Sequence, residues 1–330
     1  MGYIKKLKRM RNTIAKRTGY KLNEIEKNKL LIDYLWEHYV HGVVLIEYNQ
    51  YEFYKKKSRE RREYVCFREF EKIIEVANKK EDYKYFDNKA LFNKTFSEFM
   101  GRKWINATED TYEQFCELCA SNKKLFVKPV DGMCGRGAYM LEIGKEMDTE
   151  AVYKRLISEK AIVEEVVSQH NEIAEFNSSS VNTLRIVTML CVDDTVKIMA
   201  AVIRLGRAGQ VVDNFHNYGI VALIDSETGI IKTTGVDRDF KRYVVHPDSG
   251  KIIPGFKIPS WNNIVSAIKK AAHYVPTVRY VGWDIAVGKN GEVIMIEGNK
   301  SADHDVTQVA DQVGKWSKYK PIIEELEKGK

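Results

Sequence analysis

Two carboxylates stand where an apolar strand would not ordinarily hold charge. Asp284 interrupts Gly282-Trp283-Asp284-Ile285-Ala286-Val287, and Glu297 follows Val293-Ile294-Met295-Ile296 and precedes Gly298-Asn299. An unpaired charge in such surroundings is costly, and a bound cation offsets that cost. Mg²⁺ takes hard oxygen ligands while keeping waters and substrate phosphates, so Asp284, Glu297 and the Asn299 carbonyl form a suitable donor set. Taken alone, the pair also fits a solvated strand end with an ordinary salt bridge.

A second group is Val127-Lys128-Pro129-Val130-Asp131-Gly132-Met133-Cys134-Gly135-Arg136-Gly137. Here a lysine inside an apolar run leads into a turn with Gly132, Gly135 and Gly137. Glycines let backbone N–H groups turn toward phosphate oxygens, and Lys128 could bind phosphate as a point charge. No Gly-Lys-Ser/Thr follows, so this is no Walker A sequence, and a strand comes next where a dinucleotide fingerprint would open a helix. A purely structural hairpin is an equal reading of the loop by itself. The third group is Glu164-Glu165 within Ala161-Ile162-Val163-Glu164-Glu165-Val166-Val167. Backbone at such a strand end can recognise adenine, and a carboxylate can accept from an exocyclic amine or ribose hydroxyls; acids on an edge strand are the plain alternative.

The elements that must position these residues are strands paired with neighbours and flanked by helices. Residues 22–80 mix charge with Leu, Ile, Tyr and Phe and predict helices, and 111–120, 149–159 and 261–274 predict further ones. Strands are predicted at 125–130, 138–143, 161–167, 183–192, 196–205, 221–224 and 230–233, and at 280–287 and 292–296 across a Lys-Asn-Gly turn. From residue 306 the chain is helical again. Short connections between adjacent strands indicate an α+β fold more than a doubly wound parallel sheet.

The bulk numbers are those of a globular protein: 330 residues, 44% hydrophobic and 30% charged, enough for two or three packed units. No run approaches a membrane span, and five scattered cysteines suit a reduced, cytoplasmic setting. The pair Cys116 and Cys119 lies in a helix-like run with no second pair, which argues against zinc. The net charge of +7 is concentrated in a leader. Residues 1–21 hold eight Lys and Arg with no acid before Glu24, and the rest is near neutral, with 45 basic against 46 acidic residues. That excludes a general nucleic-acid-binding face. Ile4, Leu7, Met10 and Ile14 recur at helical spacing in the leader. A basic helix of this kind either docks on the next domain, the plainer reading, or makes peripheral contact with an anionic membrane.

The order of the three chemical groups resembles the ATP-grasp superfamily, and most closely its sugar-transfer-associated branch among polysaccharide biosynthesis enzymes. The resemblance covers about residues 85–310. It implies an ATP-grasp fold with nucleotide held between two α+β subdomains, after a helical N-terminal region: 1–80 leader and helices, 81–168 the part with the glycine-rich lid, 169–330 the part with the metal site. It further implies ATP and Mg²⁺, with Mn²⁺ as a substitute. Lys128 and Lys89 would bind phosphates under a lid carrying Gly132, Gly135 and Gly137. Glu164, Glu165 and the backbone at Val166 would hold adenine, and Glu172 would accept from ribose. Asp284, Glu297 and Asn299 would hold the metal. Arg185 would stabilise the transferring phosphoryl, and Asn214, in Asp213-Asn214-Phe215-His216-Asn217-Tyr218-Gly219, would face the reaction centre. The chain departs from the family where Lys300-Ser301-Ala302 replaces a frequent Pro-Gly, so acceptor recognition is expected to differ at Asp303-His304-Asp305. The Asn214 segment likewise has one glycine where relatives often carry two.

The reaction expected on this basis is carboxylate–amine ligation through an acylphosphate, joining an amino acid or sugar acid to a glycan or related precursor. A kinase acting on a hydroxyl and a non-catalytic nucleotide-binding partner protein are the alternatives. The presence of Lys128, Arg185, Asp284, Glu297 and Asn299 together argues against the last, since their charges are costly to keep grouped without phosphate and metal.

Overall fold

The computed structural model describes residues 2–131, 137–209 and 218–329. It opens with helices α1 (Gly2–Thr18), α2 (Glu24–His41), α3 (Leu45–Gln50), α4 (Ser58–Arg61) and α5 (Phe67–Ala77). Local chemistry sets α2: Asn23 accepts from the Glu26 N–H at 2.9 Å, Glu26 accepts from the Asn23 N–H at 2.8 Å, and Gly42 ends the helix at φ 75°. The leader docks at its C-terminal end, where fully buried Ile14 joins Tyr34, Tyr48 and Tyr51. At its other end Ile4 stays exposed.

Helices α6 (Lys84–Asp87) and α7 (Lys89–Thr95) lead to a four-stranded antiparallel sheet of β1 (Trp104–Asn106), β2 (Lys124–Pro129), β3 (Tyr139–Glu142) and β4 (Ala161–Glu165), in the order β1-β4-β2-β3. Helices α8 (Tyr112–Ser121) and α9 (Thr149–Ser158) cover one face, packing Phe115, Leu118 and Leu156 on Leu125, Val127 and Val163. The two-residue alternation of a strand turns Phe126, Lys128 and Glu164 to the other face.

After α10 (Asn171–Ala174) come β5 (Thr183–Leu190), β6 (Val196–Leu205), β7 (Ile220–Leu223), β8 (Gly235–Val236), β9 (Arg242–Tyr243), α11 (Trp261–Ala271), β10 (Tyr280–Val287), β11 (Val293–Asn299), α12 (Asp305–Val309) and α13 (Trp316–Lys328). The strands form a sheet ordered β11-β10-β5-β6-β7-β8-β9, and each pairing among the described residues is antiparallel. Its main core lies under α7 and α11, around Trp283, Phe96, Ile264 and Ile268. On the opposite face α1–α3 cover Val202 and Val221, while α5 and α13 cover Val187 and Met189. This is the α+β architecture expected.

Gly282 shows how closely the layers meet. A Cβ placed there would lie 2.2 Å from Ala302 Cβ and 3.1 Å from Arg185 Cδ. Gly282→Ala should therefore cost about 2 kcal/mol through overpacking, read as a lower denaturation midpoint at unchanged m-value. An unchanged midpoint would contradict the close approach.

Candidate active site

Between the open face of the four-stranded sheet and strand β11 lies a cavity of ≈ 920 Å³. From the smaller sheet come Phe126, Lys128, Met140 and Glu164; from the larger come Arg185, Arg204, Glu297 and Asn299. Lys89, at the start of α7, joins them.

Lys128 is buried, and its Nζ lies 2.7 Å from Glu164 Oε1. Glu164 also receives Arg102 Nη2 at 2.8 Å and Asn93 Nδ2 at 3.0 Å. Burial alone would raise this carboxyl, but Lys128 and Arg102 overcome it and hold Glu164 down at about 2. Arg102 further donates to the Met295 carbonyl at 2.6 Å, tying the smaller sheet to β11. Lys89 is pushed down by burial and then by the neighbouring Lys128 charge, against the opposing pull of Glu297, Asp131 and Glu164.

The larger sheet builds its half by register. Asp284 on β10 stands directly across from Arg185 on β5 and from Glu297 on β11. Arg185 grips Asp284 with Nε on Oδ1 and with Nη2 on Oδ2 at 3.0 Å, and Arg204 Nη2 reaches Oδ2 at 2.7 Å. Arg204 also donates to Thr183 Oγ1 at 2.8 Å. Burial would raise Asp284, but Arg185 and Arg204 draw it down to about 2.

A bulge aims Glu297. Asp284 pairs with Glu297, yet Ile285 pairs with Met295, leaving Ile296 as an extra residue on β11. In a regular strand, without the bulge, Met295 and Glu297 would share a face. With it, Met295 is fully buried in the core while Glu297 opens on the cavity. Glu297 is itself exposed to the cavity, yet the surrounding walls partly desolvate it, and this and then the Asp284 carboxylate push it up from its ordinary range. Asn299 Nδ2 donates to Glu297 Oε1 at 3.1 Å.

These residues fit a hard divalent cation to different degrees. Glu297 is a carboxylate raised by a like charge, with an amide beside it, and a cation would relieve both desolvation and repulsion. Asp284 accepts three arginine N–H groups, one on Oδ1 and two on Oδ2, so a metal ion would share this carboxylate with the arginines. Among the described residues no cluster of three or more His, Cys, Asp or Glu could hold a metal ion.

The cavity brings together Lys89, Lys128, Glu164, Glu165, Val166, Arg185, Glu297 and Asn299, with Asp284 just beneath. In the unliganded protein the oxygens of Glu164 accept from Lys128, Arg102 and Asn93, an arrangement that also suits a residue positioning the lysine. Glu165 accepts from the Lys103 N–H at 2.8 Å and from Asn122 at 3.3 Å, outside the cavity centre. Val166 lies just beyond the last residue of β4, where backbone is released from the ladder. Glu172 is not among the cavity-lining residues; it is exposed on α10, and Lys251 donates to its carbonyl at 2.7 Å. Gly137 takes φ 77° against Pro129, whereas Gly132, Gly135 and Asn214 lie outside the described residues.

Arg204, Arg102, Asn93 and Thr183 escaped the sequence reading. Arg204 had a usable signal, a charge in the apolar run Ala200-Ala201-Val202-Ile203-Arg204-Leu205 of the kind that singled out Lys128. Arg102 and Asn93 had none, because their role depends on the distant Glu164. In the 303–305 segment only Asp303 lines the cavity. His304 Nε2 meets Glu47 Oε1 at 2.9 Å and Gln50 reaches Asp305 at 3.4 Å, so α3 braces that wall from behind.

A family model described as sugar-transfer associated ATP-grasp matches residues 69–322. No curated protein matches the chain. Solved structures with a similar fold include the ATP-grasp ligase PsnB in complex with a precursor peptide and AMPPNP, at 15% identity and TM-score 0.46, covering 76% of this chain and 62% of that one. The biotin carboxylase domain of the Hydrogenobacter thermophilus 2-oxoglutarate carboxylase, in complex with MgADP, ADP and bicarbonate, matches at 12% identity and TM-score 0.47, covering 76% and 48%. N5-carboxyaminoimidazole synthase of Aspergillus clavatus, with ADP and 5-aminoimidazole ribonucleotide, matches at 10% identity and TM-score 0.42, covering 72% and 51%. The chain thus spans less than two thirds of the length of each of these structures.

Proposed function

The chain belongs to the sugar-transfer associated ATP-grasp family, and from that premise we propose that it is a cytoplasmic Mg²⁺-ATP-dependent ligase that joins a carboxylate to an amine. The observation that carries the reading is the convergence of Lys89, Lys128, Arg185, Arg204, Glu297 and Asn299 on one cavity between two sheets. Two lysines on one wall suit a triphosphate, and on the other a raised carboxylate with an amide, beside two arginines, suits the metal that accompanies it.

In this reading Lys89 and Lys128 hold phosphate oxygens, and the backbone past β4 near Val166 holds adenine among Phe126, Met140 and Ile296. Glu297 and Asn299, together with the Asp284 carboxylate, would hold Mg²⁺, which would supply positive charge to offset the negative charge of the phosphates. Arg185 and Arg204 face the transferred phosphoryl group. A substrate carboxylate oxygen attacks the γ-phosphorus and ADP leaves, giving an acylphosphate; an amine nitrogen then attacks the acyl carbon, phosphate leaves, and the nitrogen gives up its proton. The protein contributes positioning and oriented charge in a space shielded from water. Acceptor selection falls to the wall at Ser301 and Asp303, with an amino acid or sugar acid and a glycan-linked amine as the substrate classes. The division into 1–80, 81–168 and 169–330 belongs to the same reading.

The test is ADP release across a panel of amino acids, sugar acids and amino sugars, with hydroxylamine present. An acyl hydroxamate formed only with ATP is the expected result. A phosphorylated hydroxyl without hydroxamate would make the enzyme a kinase, and ATP binding with no ADP from any acceptor would make it a non-catalytic partner.

A further inference from the structure

The hairpin of α1 and α2 leaves an apolar surface uncovered. On α2, Ile25, Ile32, Trp36 and Tyr39 recur at spacings of seven, four and three, which aligns them in one stripe. All are exposed, Ile32 at 67% and Trp36 at 62%. Exposed Tyr3 and Ile4 of α1 extend it, the Tyr3 side chain lying beside that of Tyr39. None of this is the face that holds the hairpin to the body of the protein: Ile14 and Tyr34 do that from the other side. A large aromatic and several branched aliphatics side by side in water are unusual unless something covers them.

The charge around the stripe says what covers it. Helix α1 carries no acid, and Lys5, Lys6, Lys8, Arg9 and Lys16 are all exposed; Lys29 stands inside the stripe itself. The acids of α2 are engaged elsewhere. Asp33 and Glu37 turn inward to Arg61 and Arg62, Glu24 pairs with Arg11 and Lys27, and Glu26 caps the helix. The surface is therefore apolar at its centre and positive at its border. A second copy of the chain would set those cations against one another, and a polyanion such as nucleic acid has no use for Ile25, Ile32 and Ile4. A lipid interface satisfies both parts at once.

We propose that the α1–α2 hairpin seats the protein on a bilayer surface bearing anionic lipid headgroups, with Ile32, Trp36 and Tyr39 entering the interface and Lys5, Lys8 and Arg9 meeting phosphates. No residue of α1 or α2 lines the cavity, so this attachment does not depend on the reaction assigned there. No helix of the described residues is long and apolar enough to cross a membrane, and the contact is one of lying on the surface.

The full chain should sediment with phosphatidylcholine vesicles containing on the order of 30% phosphatidylglycerol and not with phosphatidylcholine alone, and salt should weaken binding. Acrylamide quenching of the exposed Trp36 indole should fall when the anionic vesicles are added. The double variant Ile32→Ser, Trp36→Ser and the triple variant Lys5→Glu, Lys8→Glu, Arg9→Glu should each lose at least about tenfold in vesicle affinity. Their melting temperatures should match the unsubstituted chain, since every changed side chain is exposed. Absence of binding to anionic vesicles, equal binding to neutral ones, or full binding by either variant would overturn the proposal. So would a dimer in sedimentation velocity that Trp36→Ser dissociates, without vesicle binding, which would give the stripe to a second copy.

Discussion

Glu297→Gln should abolish Mg²⁺-dependent ATP turnover, with a loss of at least about 10³-fold, while leaving the unliganded protein as stable as before or more so. The two halves of that expectation have one origin. Partial desolvation at the cavity wall and the nearby Asp284 carboxylate raise Glu297 above its ordinary range, and because the side chain is exposed its ionised form works only weakly against folding at neutral pH. For an acid whose folded value is raised, that penalty is present above the folded value and disappears below the unfolded one. Glutamine has nearly the same shape without the charge, so the penalty disappears at every pH. What glutamine cannot do is ligate a divalent cation as an anion, and the loss of several kcal/mol of charge stabilisation is the expected result. Calorimetry of AMPPNP binding with and without Mg²⁺ tests the binding half without needing the acceptor. Wild-type binding should tighten with Mg²⁺, and the variant should bind alike in both conditions. A variant that keeps the Mg²⁺ effect would remove Glu297 from the metal site, and one that unfolds would assign the residue to the fold.

The combination of costly charge and structural dispensability also explains what could be read from sequence. Arg185 was reached through the family resemblance alone, whereas Lys128, Asp284 and Glu297 were legible because each breaks or ends an apolar strand, and a strand tolerates such a break only where something offsets it. The strands themselves were legible for the same reason, through their apolar runs and turns, and antiparallel order followed from short connections such as Asp193-Asp194, where Asp194 takes φ 65°. The Ile296 bulge was not legible. Alternation along 293–297 puts Met295 and Glu297 on one side, and only the pairing with β10 reveals the extra residue that separates them. The partners of Glu164 were hidden for a related cause. Asn93 and Arg102 lie 71 and 62 residues from it, so no local pattern could distinguish an acid aimed at adenine from one bound to its own lysine.

That last distinction has a decisive experiment in Glu164→Gln. If Glu164 positions Lys128, the substitution leaves two buried cations facing a neutral amide, and breaking such a pair costs about 3 kcal/mol. The pH dependence carries the signature. The folded carboxyl is held at about 2 against an ordinary 4.5, so its contribution to stability is present in full above pH 4.5 and is lost as pH falls toward 2. Chemical denaturation of wild type and variant from pH 7 to pH 2 should show a gap that is constant down to about 4.5 and then closes. A carboxylate serving only adenine would show no such gap in the unliganded protein. The variant should also bind ATP about tenfold or more weakly, because Lys128 is then free to leave its place. Pairing it with Lys128→Met completes the argument. Removal of both partners eliminates one of the unmatched charges, so the double variant should be more stable than Glu164→Gln alone, and its ATP affinity should be no lower than that of Lys128→Met. Additive losses in both measurements would mean that Glu164 meets the nucleotide directly, and the role first expected of it would stand.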